Sequence, residues 1–154
     1  MLSSFRAISI SSVSGDRIRQ ALREDGFELH LQGIFGTATL ARRHNEALIR
    51  MKDGEGRLLQ PGAFIGFAEK SNLIVDLDRW VVARAIELLA ADPGMVPLAV
   101  NVSGRSLDDP AMPDFIRSQL AARGVDPRRL LVEITEPSAI RNMRDAQRFI
   151  LDLH

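Results

Sequence analysis

The apolar and polar positions of this chain follow two rhythms that take turns along its length. Ser14-Gly15-Asp16 reads as a helix start, Ile18 and Leu22 lie one turn apart behind it, and Gly26 closes the segment. Phe27 to Ile34 alternates with period two and predicts a strand, after which Gly33 and Gly36 break the pattern. His44 to Met51 predicts a second strand, with Ala47, Ile49 and Met51 on one side and Glu46, Leu48 and Arg50 on the other. Lys52 to Arg57 is a polar turn. Pro61 opens a helix through Phe64, Phe67 and Ala68. Asp76 and Asp78 begin another, whose apolar stripe is Leu77, Val81, Ala85, Leu88 and Leu89 and whose stop is Asp92-Pro93-Gly94. Leu98 to Val102 predicts a third strand, Pro113 to Ala122 a helix closed by Gly124 and Pro127, Leu130 to Thr135 a fourth strand, and Asn142 to Leu153 a last helix. Strands alternating with helices predict βα units and a parallel sheet.

Against that background a few polar side chains stand out. Glu46, Asn101 and Glu133 each place an oxygen-bearing group in a strand-like apolar run, where a carboxylate is costly unless it is paired or binds a metal. The interval from Asn101 to Glu133 is close to one strand-plus-helix unit of an eightfold barrel, roughly 30 residues. The interval from Glu46 to Asn101 has room for about two such units. Alternation puts Val100 and Val102, and likewise Val132 and Ile134, under the helices. It turns Asn101 and Glu133 toward a barrel axis, near the C-terminal strand ends where such barrels keep their chemistry. Three oxygen donors at the ends of different strands predict a divalent-cation site. The competing reading is a buried polar network satisfied by its neighbours, in which Arg50 pairs with Glu46 from the same strand face.

The bulk properties narrow the classes. At 154 residues the chain is one domain with room for a real core. Twenty basic residues balance twenty acidic ones, which argues against a nucleic-acid-binding surface. There is no cysteine, so disulfides and thiolate metal sites are excluded. No stretch approaches the ~20 apolar residues of a membrane span. Residues 1–13 are serine-rich without a sustained apolar run, and read as a flexible lead-in, not a targeting peptide. The three histidines are too scattered for a ligand set. Trp80 reads as core packing, and Arg123, Arg128 and Arg129 as a solvated loop.

Taken in order, Gln32, Glu46-Ala47-Leu48-Ile49-Arg50, Pro61-Gly62-Ala63-Phe64-Ile65, Asp78-Arg79-Trp80-Val81, Asn101-Val102-Ser103 and Glu133-Ile134-Thr135-Glu136 resemble the EAL domain family, the phosphodiesterases of the bacterial messenger cyclic di-GMP. The resemblance runs from about Gly15 to the end. It implies a TIM-barrel-like α/β fold, here an incomplete barrel of about four strands with helices outside, and a cytoplasmic protein. It implies Mg²⁺ or Mn²⁺ held by Glu46, Asn101 and Glu133, hard oxygen donors suited to such ions. It implies that Arg50 contacts a phosphate of the nucleotide and that Gln32 helps hold it. The family reaction is attack of a metal-activated water on one phosphodiester, giving pGpG.

Departures from the family pattern are also visible. The family's Tyr-Gln-Pro is Leu31-Gln32-Gly33, and Pro137 follows Glu136 where Ser is commoner. The family's next strand carries an Asp-Asp pair, followed by a Lys and a later Glu, and this sequence does not include them. Asp108-Asp109 is not that pair, because Pro110 follows and the position is that of a helix cap. Residues 14–154 therefore read as the N-terminal part of an EAL domain, inactive alone. The alternative is a non-catalytic cyclic di-GMP receptor or interaction module in which Gln32, Arg50 and Phe64 touch nucleotide. Open strand edges predict self-association, or pairing with a missing C-terminal half, with neither membrane nor DNA as partner.

Overall fold

The structure, a computed structural model, describes residues 13–134 and 143–153. Helix α1 (Gly15–Arg23) starts where expected, since the Ser14 side chain accepts from the Arg17 N–H at 3.3 Å and Asp16 lies in the first turn. The predicted flexible lead-in lies outside the described residues apart from Val13. That residue is buried in the core and belongs to the folded part.

Strands β1 (Phe27–Phe35) and β2 (Arg42–Lys52) pair antiparallel, from Phe27 opposite Met51 to Gln32 opposite Glu46 and beyond. This corrects the expectation of an all-parallel sheet. Residues 36–41 are too few to carry a crossover, which takes a dozen or more, so the chain can only turn back on itself. A short strand β3 (Leu58–Leu59), not foreseen, pairs with the end of β2. The Pro61 helix is divided into a 3₁₀ turn (Pro61–Ala63) and α2 (Ile65–Lys70). Helix α3 (Ile74–Ala91) begins at Ile74, ahead of Asp76 and Asp78. Then come β4 (Leu98–Val102), an unforeseen one-turn helix α4 (Gly104–Asp108), α5 (Met112–Arg123), a 3₁₀ turn (Pro127–Arg129), β5 (Leu130–Ile134) and α6 (Met143–Leu153). Thr135 and Asn142, the expected ends of β5 and α6, lie outside the described residues.

The sheet order is β1-β2-β4-β5, with β3 beside β2. β4 runs parallel to both β2 and β5, as a βα architecture with helical crossovers requires. One sheet face, carrying Ala47, Ile49 and Met51 of β2 and Leu98, Val100 and Val102 of β4, joins a single core with Leu77, Val81, Ala85 and Leu89 of α3 and Ile116 and Leu120 of α5. The fold is TIM-barrel-like, an open mixed sheet with its helices on one side. The other sheet face is left uncovered among the described residues and carries the polar positions.

Candidate functional site

Antiparallel register sets Gln32 directly opposite Glu46, so both project from the uncovered face. Parallel register sets Asn101 opposite Glu133 on the same face. Between these pairs the Asn101 Nδ2 donates to Glu46 Oε1 at 2.8 Å across β2 and β4. The result is a polar row, Gln32, Glu46, Asn101 and Glu133, running over four strands of one sheet. Gln32 and Asn101 are exposed and Glu46 half-buried. The Glu133 side chain is 45% exposed, and its Oε1 lies 3.9 Å from His44 Nε2.

The other sequence-predicted residues behave differently. Arg50 follows Glu46 on the same face but does not pair with it; its Nη1 donates to the Ile49 carbonyl at 2.8 Å. Phe64, expected to touch nucleotide, has a fully buried side chain packed 5.7 Å from the Phe27 ring in the core. Trp80, 5.5 Å from the same Phe27, is core packing as expected. Asp109 accepts from the Ala111 N–H at 3.0 Å just ahead of α5, which has no side-chain cap of its own, and binds Arg79 at 2.7 Å.

Donor chemistry in the row suits a small hard cation. With its nitrogen committed to Glu46, the Asn101 amide has its oxygen left for a metal, beside the carboxylates of Glu46 and Glu133. Among the described residues no group of three or more His, Cys, Asp or Glu side chains converges as a metal site, so the set depends on Asn101 as its third donor. A cleft of about 340 Å³ opens beside Asn101, with Leu48, Pro61, Ile65, Glu69 and Asp78 among its walls. It is mostly apolar with a few polar groups, as small-molecule sites are.

Two residues at this site escaped the sequence reading. His44 precedes Glu46 by one strand period, a signal that could have placed it on the same face. Asp78, expected only as part of a helix start, lies 6% exposed on the buried stripe of α3 with Ile74, Leu77 and Val81, one helical turn apart. Its Oδ2 accepts from the Ser103 N–H at 2.9 Å and the Ser106 hydroxyl at 2.7 Å. Burial pushes its carboxyl above the ordinary 3.8; the hydrogen bonds from Ser103 and Ser106 oppose that rise and nearby Glu69 adds to it.

The comparisons agree with this geometry. The chain is 31% identical to the signaling protein YkoW of Bacillus subtilis over 139 residues, 88% of this chain and 17% of that protein. It is 35% identical to the cyclic di-GMP phosphodiesterase NbdA of Pseudomonas aeruginosa, over 83% of this chain and 17% of the relative. The EAL domain of FimX from Xanthomonas citri, solved in complex with cyclic di-GMP, superposes with a TM-score of 0.81 at 36% identity, covering 90% of this chain and 55% of that one. The FimX EAL domain of Pseudomonas aeruginosa, bound to cyclic di-GMP, gives 0.82 at 28% identity, over 90% and 56%. The chain thus spans under a fifth of these curated relatives and about half of the solved domains. Among the described residues no helix is long and apolar enough to cross a membrane. The EAL domain model matches residues 16–154, and with the four-strand polar row this leaves one assignment: the chain belongs to the EAL domain family.

Proposed function

We propose that this chain carries one half of a cyclic di-GMP phosphodiesterase site, in a cytoplasmic signalling protein. Glu46, Asn101 and Glu133 supply oxygen ligands to Mg²⁺ or Mn²⁺, Arg50 meets a phosphate of the nucleotide, and Gln32 steadies it from β1. A bound cation would lower the pKa of a coordinated water and neutralise the phosphodiester. What the chain itself contributes is orientation. The Asn101 amide is held by Glu46, and Glu133 stands beside it on the neighbouring strand. That hydrogen bond between two residues on different strands is the observation that carries the reading.

Hydrolysis to pGpG needs further acidic and basic groups, which we assign to a partner segment completing the sheet at β5, so the 154 residues alone turn over no substrate. The partner is a C-terminal half of the domain, since a second copy of this chain would bring none of those groups. The FimX domains, whose solved structures hold cyclic di-GMP, favour a second reading in which the chain is a nucleotide receptor. Calorimetric titration with cyclic di-GMP, with and without Mn²⁺, separates the two. Binding that depends on Mn²⁺ and is lost in both Asn101→Ala and Arg50→Ala supports the phosphodiesterase half-site. Binding indifferent to Mn²⁺ and lost only in Arg50→Ala supports the receptor. No heat with or without the metal overturns both.

A further inference from the structure

A carboxylate on the buried stripe of α3 is a poor choice for packing alone, because desolvation disfavours its charge and an apolar side chain would complete the stripe at lower cost. Its placement points elsewhere. Ser103 is the first residue beyond β4 and the N-cap of α4, where its own hydroxyl accepts from the Ser106 N–H at 3.3 Å. A single oxygen, Asp78 Oδ2, takes the Ser103 N–H and the Ser106 hydroxyl together. One atom from a different element thus ties down both ends of the first turn of α4. Asn101 lies two residues upstream of Ser103 on the exposed face of β4, so the course of the backbone at Ser103 sets the direction of the Asn101 side chain.

We propose that Asp78 is a positioning residue for Asn101: acting through Ser103, it fixes the end of β4 so that the Asn101 amide stays on Glu46. Its consequence for cation binding rests on the half-site reading above; the positioning itself does not. Outer-shell partners of metal ligands alter affinity about ten- to a hundredfold when removed. Asp78 would belong to that group without touching the cation.

The test uses the isotopically labelled 154-residue protein, with the Asn101 side-chain amide followed by NMR and Mn²⁺ titrated by its paramagnetic broadening. Asp78→Ala is expected to move or exchange-average the Asn101 amide signal and to weaken Mn²⁺ about ten- to a hundredfold. Asp78→Asn keeps an acceptor oxygen and is expected to retain the wild-type signal and affinity, a rescue that mere loss of stability would not produce. Should Asp78→Ala fail to fold, Ser106→Ala removes one of the two donors and is expected to shift the Asn101 signal in the same direction. An Asn101 amide unmoved by either alanine variant, or an Asp78→Asn protein that behaves like Asp78→Ala, overturns the proposal. A wild-type protein that takes up no Mn²⁺, with the Asn101 signal still moving in Asp78→Ala, overturns the cation reading and leaves the positioning role standing.

Discussion

Asp78 also dictates a pH dependence at the scale of a single residue. Its folded-state pKa stands above the unfolded 3.8, chiefly through burial. Below 3.8 both states carry the proton and the group costs nothing. As pH rises from 3.8 through the folded value, the unfolded chain gives up the proton first, so the native state loses stability over that window and bears the full cost above it. Asp78→Asn does not ionise. Urea unfolding across a pH series should show this variant gaining on the wild type as pH rises above 3.8, the gap closing on the acid side. A constant gap would mean that the Asp78 carboxyl titrates alike in both states. Sequence rhythm did reveal Glu46, Asn101 and Glu133, because a polar residue inside strand alternation has a known side. It hid Asp78, since an acid near a helix start ordinarily serves the helix dipole and only the three-dimensional stripe shows it facing inward. The burial of Phe64 was hidden for the opposite reason: an aromatic beside a motif has no signature separating a ligand contact from core filling, and here the ring packs on Phe27.

At the scale of elements, tertiary side chains finish what local sequence leaves undone. Helix α3 ends at Ala91 with carbonyls lacking intrahelical partners. Arg129, from the 3₁₀ turn before β5, donates to the Leu89 carbonyl at 2.9 Å, to Asp92 at 2.7 Å and to Met95 at 3.3 Å. Its charge also suits the negative helix terminus. Arg123 pairs with Glu87 of α3 at 2.8 Å. The expected solvated arginine loop is therefore corrected for these two: they fasten α5 and the β5 approach to α3, while Arg128 pairs locally with Asp126. Arg129→Ala should lower stability by about 2 kcal/mol, the scale of a few carbonyl hydrogen bonds lost from a charged donor, read as a shifted urea midpoint at constant slope. An unchanged midpoint would assign the cap to water. The helices and the strands β2, β4 and β5 were legible because each buries one face with its own period. What was not legible was short: β3 and α4 each have too few residues to establish a rhythm, and the sense of β1 depends on loop length, not on pattern.

For the molecule as a whole, what governs association is the sheet's two outer strands. Among the described residues β1 pairs only with β2, and β5 only with β4, so each presents backbone N–H and C=O groups along one side. Natural sheets blunt such edges with charge or proline, yet here exposed apolar side chains sit on them, Leu31 and Phe35 on β1 and Leu131 on β5. Balanced charge removes the long-range repulsion that would otherwise hold copies apart near neutral pH. A barrel meets the same problem by closing, so that every edge strand finds a neighbour. In isolation the 154-residue chain has another copy of itself as the available neighbour, and sedimentation velocity at pH 7 should show mass above the monomer, rising with concentration. Leu131→Lys, a charge set on the β5 edge, should return the distribution toward monomer without lowering the unfolding midpoint, since Leu131 is 37% exposed and its replacement leaves the core intact. If the same lysine placed at Phe35 had this effect and the one at 131 did not, the contact would run through β1. A wild-type chain that sediments as one monomer at every concentration would mean that the edges are already covered, and the partner segment assigned to β5 would have nowhere to dock.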